Sequence, residues 1–324
     1  MLRDEEEVLV GLDLGTTEIR GVMAVKTPTG GVGYRAWAKA PHAGMRAGWP
    51  VQWEETRQAA RQVVERILAE AGTPAHGLVL GVGGEPFRLQ PRRGSHRLGR
   101  RGGVVRRGDL QSLYRRSQSR SLPPGYRRVG TIERALYLDG EKVGHAVGRS
   151  GQVLEVALLE LWVEESLLQH YQGLAQEVGL PLASVLAHPL TTGMLLLSPE
   201  QREKGSLLVD FGGGHTHLAF FTEGAPLDAL SLPWGSLHLS AQIARILGIR
   251  FPDVERLKVR FGALQLTEEE REQRIYQDGE MFLSRGQFVE VIESVLRRQW
   301  LPSLREALRL RGGPETFPQG VVLA

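Results

Sequence analysis

Two short turns, each following an apolar strand that ends in aspartate, carry the residue types of a phosphate site. The first lies in VLVGLDLGTTEIRGVMAV (8–25), where Asp13 precedes a Gly-Thr-Thr turn. The second lies in SLLVDFGGGHTHLAFF (206–221), where Asp210 precedes three glycines. Backbone N–H groups of a glycine turn can converge on an anion because no Cβ blocks its approach. A carboxylate beside such a turn suits hydrated Mg²⁺, so the two turns predict a polyphosphate clamp with metal next to Asp13 and Asp210.

The helix-linked phosphate loops of other nucleotide-binding proteins do not match this sequence. It contains no GxxxxGK[ST], and each glycine turn leads into a second strand rather than into a helix. An ordinary hairpin turn would explain a single DxGTT. Two copies of the pattern, 197 positions apart, favour a duplicated nucleotide clamp.

The elements that position these turns are predicted from hydrophobic spacing and glycine stops. Both turns are expected to open hairpins, the first long helix is expected to end at Gly72, and Pro302 is expected to kink the last helix. The other predicted elements are a strand near 33–39, a helix over 54–72, a strand over 77–82, a helix near 109–118, a helix over 163–178, a strand over 183–188, a helix ending at 197, a polar loop over 198–205, a strand over 227–232, a helix over 236–247, a charged region over 253–285 and a helix over 287–310.

The length of 324 residues exceeds one ordinary core and favours two lobes or one domain with a large insertion. The predicted fold class is α/β. A first lobe comprises 1–82 and 163–198, and it surrounds an inserted α+β subdomain, 83–162, of short strands, glycines and arginines. A second lobe covers 199–324 and includes a small subdomain around 249–290.

The composition is that of a globular protein and excludes several functional classes. With 41% apolar and 24% charged residues, the chain is not a disordered tail, a collagen or a coiled-coil rod. The absence of cysteine excludes disulfides, thiolate nucleophiles and thiolate metal sites. The net charge of +3 is small for a polyelectrolyte binder, although the basic residues are 35 Arg and 5 Lys. The acidic start MLRDEEE and the lack of a long apolar run predict a cytoplasmic protein.

Beyond these patterns, the chain resembles the actin-like ATPase superfamily and, within it, the bacterial cell-division protein FtsA. GLDLGTTEIRGVMAV resembles the first phosphate motif of that family, VDFGGGHTHLAFF the second, and DVERLKVRFGAL (253–264) its nucleoside-contacting helix. The resemblance continues through APHAGMRAGWPVQWEETRQAARQVVERI, the inserted region and PWGSLHLSAQIARILGI. The insertion lies where FtsA carries its own subdomain and actin has none.

The resemblance implies a two-lobed, actin-like fold of ribonuclease-H-like sheets that holds ATP and Mg²⁺ in its cleft. Asp13 and Asp210 would then flank the metal. Glu255 and Lys258 lie three apart, which lets both reach one ribose or base and is equally the spacing of a solvated helix face. The implied nucleotide contacts are Gly15, Thr16, Thr17, Gly212, Gly213, Gly214, His215, Thr216, Gly235, Ser236, Glu255 and Lys258.

The resemblance also implies partners and a location. The C-terminal tail of the tubulin-like division protein FtsZ is expected to contact residues within 249–300. Self-association into an actin-like protofilament is implied, as are contacts with other division proteins through the inserted subdomain. The implied location is cytoplasmic, at the inner face of the membrane at the division site, where the protein would link FtsZ to the membrane. No nucleic-acid partner is expected.

Several polar positions depart from the family pattern and predict weak or absent hydrolysis. Glu18 stands where a hydroxyl or basic residue is usual, and Gln242 stands where a helix usually starts with Asp. His215 replaces a common Thr, and His217 replaces a common Asp. His188 stands near the usual water-orienting acid or amide and is the candidate catalytic residue, because a neutral imidazole can act as a base. A packed or surface histidine without a catalytic role is the alternative explanation for His188, His215 and His217.

The last residues, GVVLA (320–324), look like the strand that enters the glycine-rich adenosine motif of the family. The resemblance is therefore to an FtsA truncated before its adenine cradle and its amphipathic membrane-targeting tail. Two explanations are open, a fragment or a degenerate relative that acts as a nucleotide-free scaffold. Either one predicts weakened nucleotide binding in this chain.

Three other functions compete with this interpretation. A nucleic-acid binder would use the eight arginines of RLQPRRGSHRLGRRGGVVRR (88–107), but the nearest aromatic residue for base stacking is Phe87. An actin-like type IV pilus assembly protein would share the opening motif and the DVERLK helix, whereas the similarity through 40–68 favours the division protein. A small-molecule kinase would need a catalytic carboxylate, and the insertion offers, without recognisable spacing, Asp109, Glu133, Asp139 and Glu141.

Overall fold

The computed structural model describes residues 7–27, 31–119, 121–279 and 281–324, so the acidic start used above (residues 1–6) lies outside the described chain. The strands are β1 (Val8–Leu14), β2 (Glu18–Lys26), β3 (Val32–Pro41), β4 (Met45–Arg46), β5 (Trp49–Pro50), β6 (Gly77–Val82), β7 (Phe87–Arg97), β8 (Gly103–Val104), β9 (Tyr126–Leu138), β10 (Glu141–Val143), β11 (Ser150–Gly151), β12 (Val153–Glu164), β13 (Leu182–Ala187), β14 (Ser206–Phe211), β15 (Thr216–Thr222), β16 (Ala225–Leu232), β17 (Arg274–Asp278), β18 (Met281–Ser284) and β19 (Val321–Leu323). The helices are α1 (Trp53–Ala71), α2 (Arg107–Ser117), α3 (Glu165–Glu177), α4 (His188–Leu196), α5 (Pro199–Lys204), α6 (Ser236–Leu247), α7 (Phe251–Phe261), α8 (Glu268–Glu272), α9 (Arg285–Val295) and α10 (Leu301–Arg309), with a π-helical turn at Leu296–Trp300 and a 3₁₀ turn at Pro314–Thr316.

The chain forms two compact units. The larger unit contains the described residues up to Asp210 together with His217–Ser231 and Phe317–Ala324. The smaller unit contains Phe211–Thr216 and Leu232–Thr316. The boundaries predicted for the lobes and the insertion remain predictions.

Two sheets of the larger unit have matching strand orders around the two glycine turns. One sheet has the order β13-β6-β1-β2-β3, and the other has the order β19-β14-β15-β16. In each sheet, the first strand of the hairpin also pairs in parallel with a strand from later in the chain, β1 with β6 and β14 with β19. Both predicted hairpins are confirmed. The duplication seen in the sequence is therefore a duplication of topology, and it places each aspartate at the same point of its sheet.

Alternating burial along β1 and a close helix build the core behind the first turn. Alternate residues of β1 are buried, as expected for a strand with one apolar face. Helix α1 buries Val63 and Ile67 against this sheet, and a Cβ on Gly21 would lie within 2.7 Å of both side chains. Gly21 therefore lets the helix approach β2 closely. Gly72 ends α1 in the left-handed conformation with φ of 59°, as predicted.

The inserted region contains three long strands, so the prediction of short strands holds only for β8, β10 and β11. Strands β7, β9 and β12 have 11, 13 and 12 residues and form a sheet with β10 in the order β10-β9-β12-β7. Helix α2 covers one face of this sheet, where Leu113 packs with Leu154 and Val156. The alternating pattern was hidden because exposed positions of β7 and β9 carry arginine while glycines interrupt the apolar run.

Two other local predictions were wrong for identifiable reasons. Residues 199–204 form a short helix instead of a polar loop, because Ser198 Oγ accepts a hydrogen bond from Gln201 N at 3.1 Å and the Gln201 side chain accepts one from Ser198 N at 2.8 Å. This capping box was readable in the sequence SPEQ. The helix expected from Val163 begins only at Glu165, because β12 continues through Glu164.

The smaller unit is built from α6, α7 and α9 around a core that includes Ile243, Val254 and Phe288. The predicted helix over 287–310 is interrupted by the π-helical turn at Leu296–Trp300. Pro302 is the second residue of α10, directly after the π-helical turn. The predicted interruption exists, but it lies just before Pro302.

Candidate functional site

The first turn is held by a histidine from the end of β3. His42 Nε2 lies 2.7 Å from the carbonyl oxygen of Gly15, and the His42 N–H donates to Thr17 O at 3.0 Å. Its other ring nitrogen accepts the N–H of Gly44 at 3.2 Å, so the ring donates through Nε2. His42 is buried. His42 could not be predicted from the sequence, because no local pattern connects it with a turn 27 positions earlier.

The first turn is compact and presents two threonines. A Cβ on Gly15 would lie 2.7 Å from Glu18 O, so the turn requires glycine there. Thr16 is half-buried and Thr17 is exposed. Glu18 forms ion pairs with Arg20 at 2.6 Å and Lys39 at 3.0 Å, and hydrogen bonds from these side chains hold its pKa below the usual range. Two cations therefore compensate the negative charge that Glu18 places beside the first turn.

The two aspartates near the ends of β1 and β14 meet at one imidazole. His188, the first residue of α4, has Nε2 at 2.7 Å from Asp210 Oδ2 and Nδ1 at 3.5 Å from Asp13 Oδ1. All three residues belong to the larger unit. The side chain of Asp13 is 40% exposed, whereas that of Asp210 is 20% exposed. The structure thus brings together the two predicted metal residues and the predicted catalytic candidate.

The charges in this group are coupled. Burial alone would lower the pKa of His188, but the hydrogen bond to Asp210 and the charge of Asp13 hold that pKa above its ordinary value. Burial would raise the pKa of Asp210, but the His188 hydrogen bond holds it low. Burial raises the pKa of Asp13 more than His188 lowers it. His188 therefore stays protonated over a wider pH range than a free histidine.

A second histidine lies beside His188. The ring centroids of His188 and His217 are 5.0 Å apart, and His217 Nδ1 is 2.6 Å from Ser231 Oγ. Ser231 Oγ also accepts the N–H of Gly84 at 3.0 Å. A Cβ on Gly83 would lie 2.6 Å from His217 Cε1, so the loop after β6 needs glycine to accommodate this ring. Ser231 and the Gly83-Gly84 pair are further residues that sequence reasoning missed.

The second glycine turn belongs to the smaller unit and packs against the start of α6. The backbone N–H groups of Ser236 and Leu237 donate to Gly212 O and Gly213 O, each at 2.9 Å. A Cβ on Gly235 would lie 2.6 Å from both of these carbonyl oxygens. The first N–H groups of α6 are therefore used by the turn, and Gly235 makes that approach possible.

The polar residues after the three glycines face the interior. His215 and Thr216 are both buried. Thr216 Oγ1 donates to Trp234 O at 2.8 Å and accepts from Trp300 Nε1 at 2.9 Å. The ring of Phe211 packs 5.3 Å from that of Trp300. An aromatic frame therefore fixes this turn, and a ligand contact by Thr216 would have to use its backbone.

The predicted nucleoside residues form one network in the smaller unit. Lys258 Nζ donates to Glu255 Oε1 at 2.7 Å, to Ser236 O at 3.0 Å and to Ser240 Oγ at 2.8 Å. This network connects α7 with the start of α6. Glu255 and Lys258 are partly buried, with side chains 30% and 16% exposed, so the solvated-face alternative does not describe them.

The residues of the larger unit fit Mg²⁺ in their donor chemistry. Asp13 and Asp210 use one carboxylate oxygen each toward His188, and the second oxygen of each is of the hard type that Mg²⁺ and its waters prefer. Among the described residues, no cluster of three or more histidine and acidic side chains is arranged to hold a metal by protein ligands alone. An ion held here would depend on water and phosphate oxygens.

No helix in the described part of the chain has the length and apolar content needed to cross a membrane.

Comparison with known sequences confirms the resemblance to FtsA. The family model "Cell division protein FtsA" matches residues 207–287. The FtsA of Pseudomonas aeruginosa is 25% identical over 98% of this chain and 77% of its own length. The FtsA of Bacillus subtilis is 23% identical over 80% of this chain. The chain spans only 59% of that relative and 63% of the FtsA of Neisseria meningitidis.

Comparison with solved structures confirms the actin-like fold class. The PilM-PilN type IV pilus biogenesis complex matches with a TM-score of 0.63 at 16% identity, over 98% of this chain and 81% of that chain. MreB5 of Spiroplasma citri bound to ADP matches with a TM-score of 0.56 at 13% identity, over 98% and 84%. At these identities the likeness is one of fold.

Proposed function

We propose that this FtsA-like chain of the actin fold is an ATP-binding cell-division protein that hydrolyses ATP weakly or not at all. The observation that carries the proposal is the matched pair of hairpins, each with an aspartate at the end of its first strand, whose aspartates share His188. The FtsA-like sequence supports the role in division. The likeness to PilM concerns the fold alone and does not favour a pilus function.

In the proposed complex, each group of residues has a distinct task. The N–H groups and hydroxyls of Gly15, Thr16 and Thr17 are the proposed phosphate contacts of the larger unit. In the smaller unit, the backbone N–H groups of Gly213 and Gly214 are the proposed phosphate contacts, whereas the N–H of Gly212 donates to His215 O at 2.9 Å and shapes the turn. Asp13 and Asp210 would hold Mg²⁺ directly or through water, and the ion would supply positive charge to neutralise phosphate. Gly235 and Ser236 shape the second turn, and Glu255 and Lys258 approach the ribose or base.

The geometry of His188 supports weak hydrolysis. Both ring nitrogens face carboxylates, with Nε2 at 2.7 Å from Asp210 and Nδ1 at 3.5 Å from Asp13. A general base needs a free nitrogen within hydrogen-bond distance of the attacking water. His188 has both nitrogens directed at acids, so in this proposal it orients Asp13 and Asp210 and does not activate water.

Titration with a fluorescent ATP analogue tests the nucleotide site. Binding is expected to depend on Mg²⁺, and Asp210→Asn is expected to weaken it at least about tenfold, because the variant loses a metal-binding charge (about 1.4 kcal/mol per tenfold). Asp278→Asn makes the same charge change at an exposed residue of β17 and should bind like the wild type. Mg²⁺-independent binding that Asp210→Asn leaves intact would overturn the proposed site.

The proposed contact with the FtsZ tail is supported by a cavity in the smaller unit. The cavity has a volume of about 410 Å³ and lies between the end of α6, β18 and α9. Phe282, which is 47% exposed, forms part of its apolar wall, and Glu290 adds a charge. The full lining is Leu247, Ile249, Phe282, Leu283, Gln287, Glu290, Val291 and Ser294. This apolar wall can accommodate an apolar segment of a peptide.

A synthetic FtsZ tail peptide tests this contact by fluorescence anisotropy. Phe282→Asp is expected to weaken peptide binding at least about tenfold, because it puts a charge into the apolar wall, where a buried aromatic anchor contributes about 2 kcal/mol or more. Val259→Asp changes an apolar residue that is 83% exposed on α7, outside the cavity. Equal losses in both variants would show that the cavity is not the docking site.

The proposal has three further parts. They are self-association, contacts of other division proteins with the inserted subdomain, and a location at the cytoplasmic face of the division site. The charges of the chain support the first two. Residues 83–162 contain 16 basic and 7 acidic residues, a net charge of +9, so the rest of the chain carries −6. Unlike charges on separate parts of one chain favour association between copies. Sedimentation at two salt concentrations measures this self-association and its dependence on charge.

A further inference from the structure

One end of the inserted subdomain is lined by arginine. Strand β7 ends at Arg97, and the short strand β8 pairs with β11, with Val104 opposite Ser150. The N–H of Val105 donates to Arg149 O at 2.9 Å, and the N–H of Leu98 donates to Gln152 O at 2.9 Å. These contacts bring 97–107 beside 148–153. We name the exposed arginines of this end the arginine rim: Arg97, Arg100, Arg101, Arg106, Arg107 and Arg149.

Neighbouring acids that the structure describes compensate the charge of the rim only through the weak interaction of Asp109 with Arg106. Within the described chain, no member of the rim has a carboxylate oxygen within 4.0 Å. The two nearby acids are engaged with backbone N–H groups. Asp109 accepts from Arg106 N at 2.8 Å and also contacts His96, while Asp139 accepts from Val153 N at 2.7 Å. The sequence has no acidic residue between Pro86 and Gly108.

The rim also has an exposed apolar tip. Val104 is 53% exposed and lies between Gly103 and Val105 on the two-residue ladder of β8 and β11. The segments 97–107 and 148–151 contain no aromatic residue. Single-stranded nucleic acids are usually bound by stacking on aromatic rings, which this end lacks. Guanidinium groups around an aliphatic side chain instead match the surface of a bilayer. The guanidinium groups can contact the phosphates of the headgroups, and the aliphatic side chain can contact the acyl chains beneath them.

We propose that the arginine rim binds the surface of a membrane that contains anionic phospholipid. The guanidinium groups contact lipid phosphates in bidentate fashion, and Val104 rests at the boundary with the acyl chains. The acidic remainder of the chain does not prevent this contact, since charges more than about 8 Å from the surface are screened at physiological salt. The binding is peripheral and therefore sensitive to salt.

This inference rests on the proposed location at the cytoplasmic face of the division site, but it is tested separately. Vesicle binding requires neither ATP nor the FtsZ peptide, and both of those titrations are made without lipid. Loss of vesicle binding with intact nucleotide binding rejects the rim alone. Loss of nucleotide binding with intact vesicle binding rejects the ATP site alone.

The experiment is co-sedimentation of the full chain with vesicles of phosphatidylglycerol and phosphatidylcholine, compared with phosphatidylcholine alone, at low and high salt. The wild type is expected to bind only the anionic vesicles and to dissociate at high salt. Each arginine at an anionic surface contributes about fivefold, so R100Q/R101Q should reduce partitioning about 25-fold. Val104→Ser should cause a smaller loss.

The matched control is R115Q/R116Q, which removes the same charge from exposed arginines in the last turn of α2. It should reduce partitioning less than twofold. Equal losses in the two double variants would overturn the rim as a specific surface, as would equal binding to neutral vesicles. Tighter binding to a DNA oligonucleotide than to anionic vesicles would overturn the proposal in favour of a nucleic-acid surface. Thermal unfolding of each variant confirms that the fold is retained.

Discussion

Gly235→Ala is expected to weaken ATP binding roughly 30-fold, which corresponds to about 2 kcal/mol. The new Cβ would lie 2.6 Å from the carbonyl oxygens of Gly212 and Gly213 and 2.7 Å from His215 N. These are backbone atoms, so no side-chain rotation relieves the overlap, and the second glycine turn must move. A turn that binds phosphate through backbone N–H groups loses affinity when those groups shift. Titration with a fluorescent ATP analogue measures the effect.

Two further variants make this result interpretable. Gly212→Ala places its Cβ 3.1 Å from His215 O, a milder overlap, and should cause a smaller loss in the same direction. Gly173→Ala lies inside α3 with no atom within 4 Å of the new Cβ. That control should bind ATP normally and gain about 0.5–1 kcal/mol in stability. If folded Gly235→Ala binds ATP as tightly as the wild type, the second turn is not a phosphate contact.

Local patterns were sufficient to predict the elements on which the candidate site is built. The hairpins at Asp13 and Asp210 follow from apolar strands broken by glycine, and the repeated pattern predicted both of them. Helix α1 and its stop at Gly72 follow from helical spacing and a left-handed glycine. In each case the pattern that predicts the element lies within about 20 consecutive residues. The prediction succeeds because local propensity and burial pattern favour the same structure.

Contacts between distant residues could not be predicted in this way. His42 supports a turn 27 positions before it, Ser231 contacts a loop 147 positions before it, and Trp300 contacts Thr216 across 84 positions. No local pattern marks these side chains. The meeting of His188 with Asp13 and Asp210 depends in the same way on where α4 begins. The sequence predicted Asp13 and Asp210 as a pair beside one metal ion and His188 separately, and the fold is required to show that His188 contacts both aspartates.

The inserted subdomain shows a different limit of sequence reasoning. Its strands were expected to be short because arginine and glycine interrupt the apolar pattern. The arginines of β7 lie on a strand whose residues alternate between exposed and half-buried positions, so they do not end the strand. The fully buried Glu160 on β12 was not singled out by the sequence, although the structure places it at the centre of a polar network.

Glu160→Ala is expected to destabilise the fold by about 3–5 kcal/mol, because it removes the acid from a buried ion pair and leaves its partners unpaired. The side chain of Glu160 is 0% exposed. It accepts from Ser119 N at 2.9 Å, from Arg128 at 2.9 Å and from Trp162 Nε1 at 3.1 Å, and Arg92 lies 3.6 Å away. Thermal and urea unfolding followed by circular dichroism measure the loss. Glu155→Ala, at an exposed position of the same strand, is the matched control and should change stability by less than about 0.5 kcal/mol.

The pH dependence of this network gives an independent check. Burial alone would raise the pKa of Glu160, but hydrogen bonds from Ser119, Trp162 and Arg128 hold it below the usual range. A depressed pKa means that the stabilisation is fully present above the unfolded value of about 4.3 and is lost as the pH falls through the folded value. The stability difference between the wild type and Glu160→Gln should therefore be constant from pH 6 to pH 7 and shrink below about pH 4. If the stability difference between the wild type and Glu160→Gln is unchanged at pH 3, the packing of the Glu160 side chain, rather than its charge, stabilises the inserted sheet.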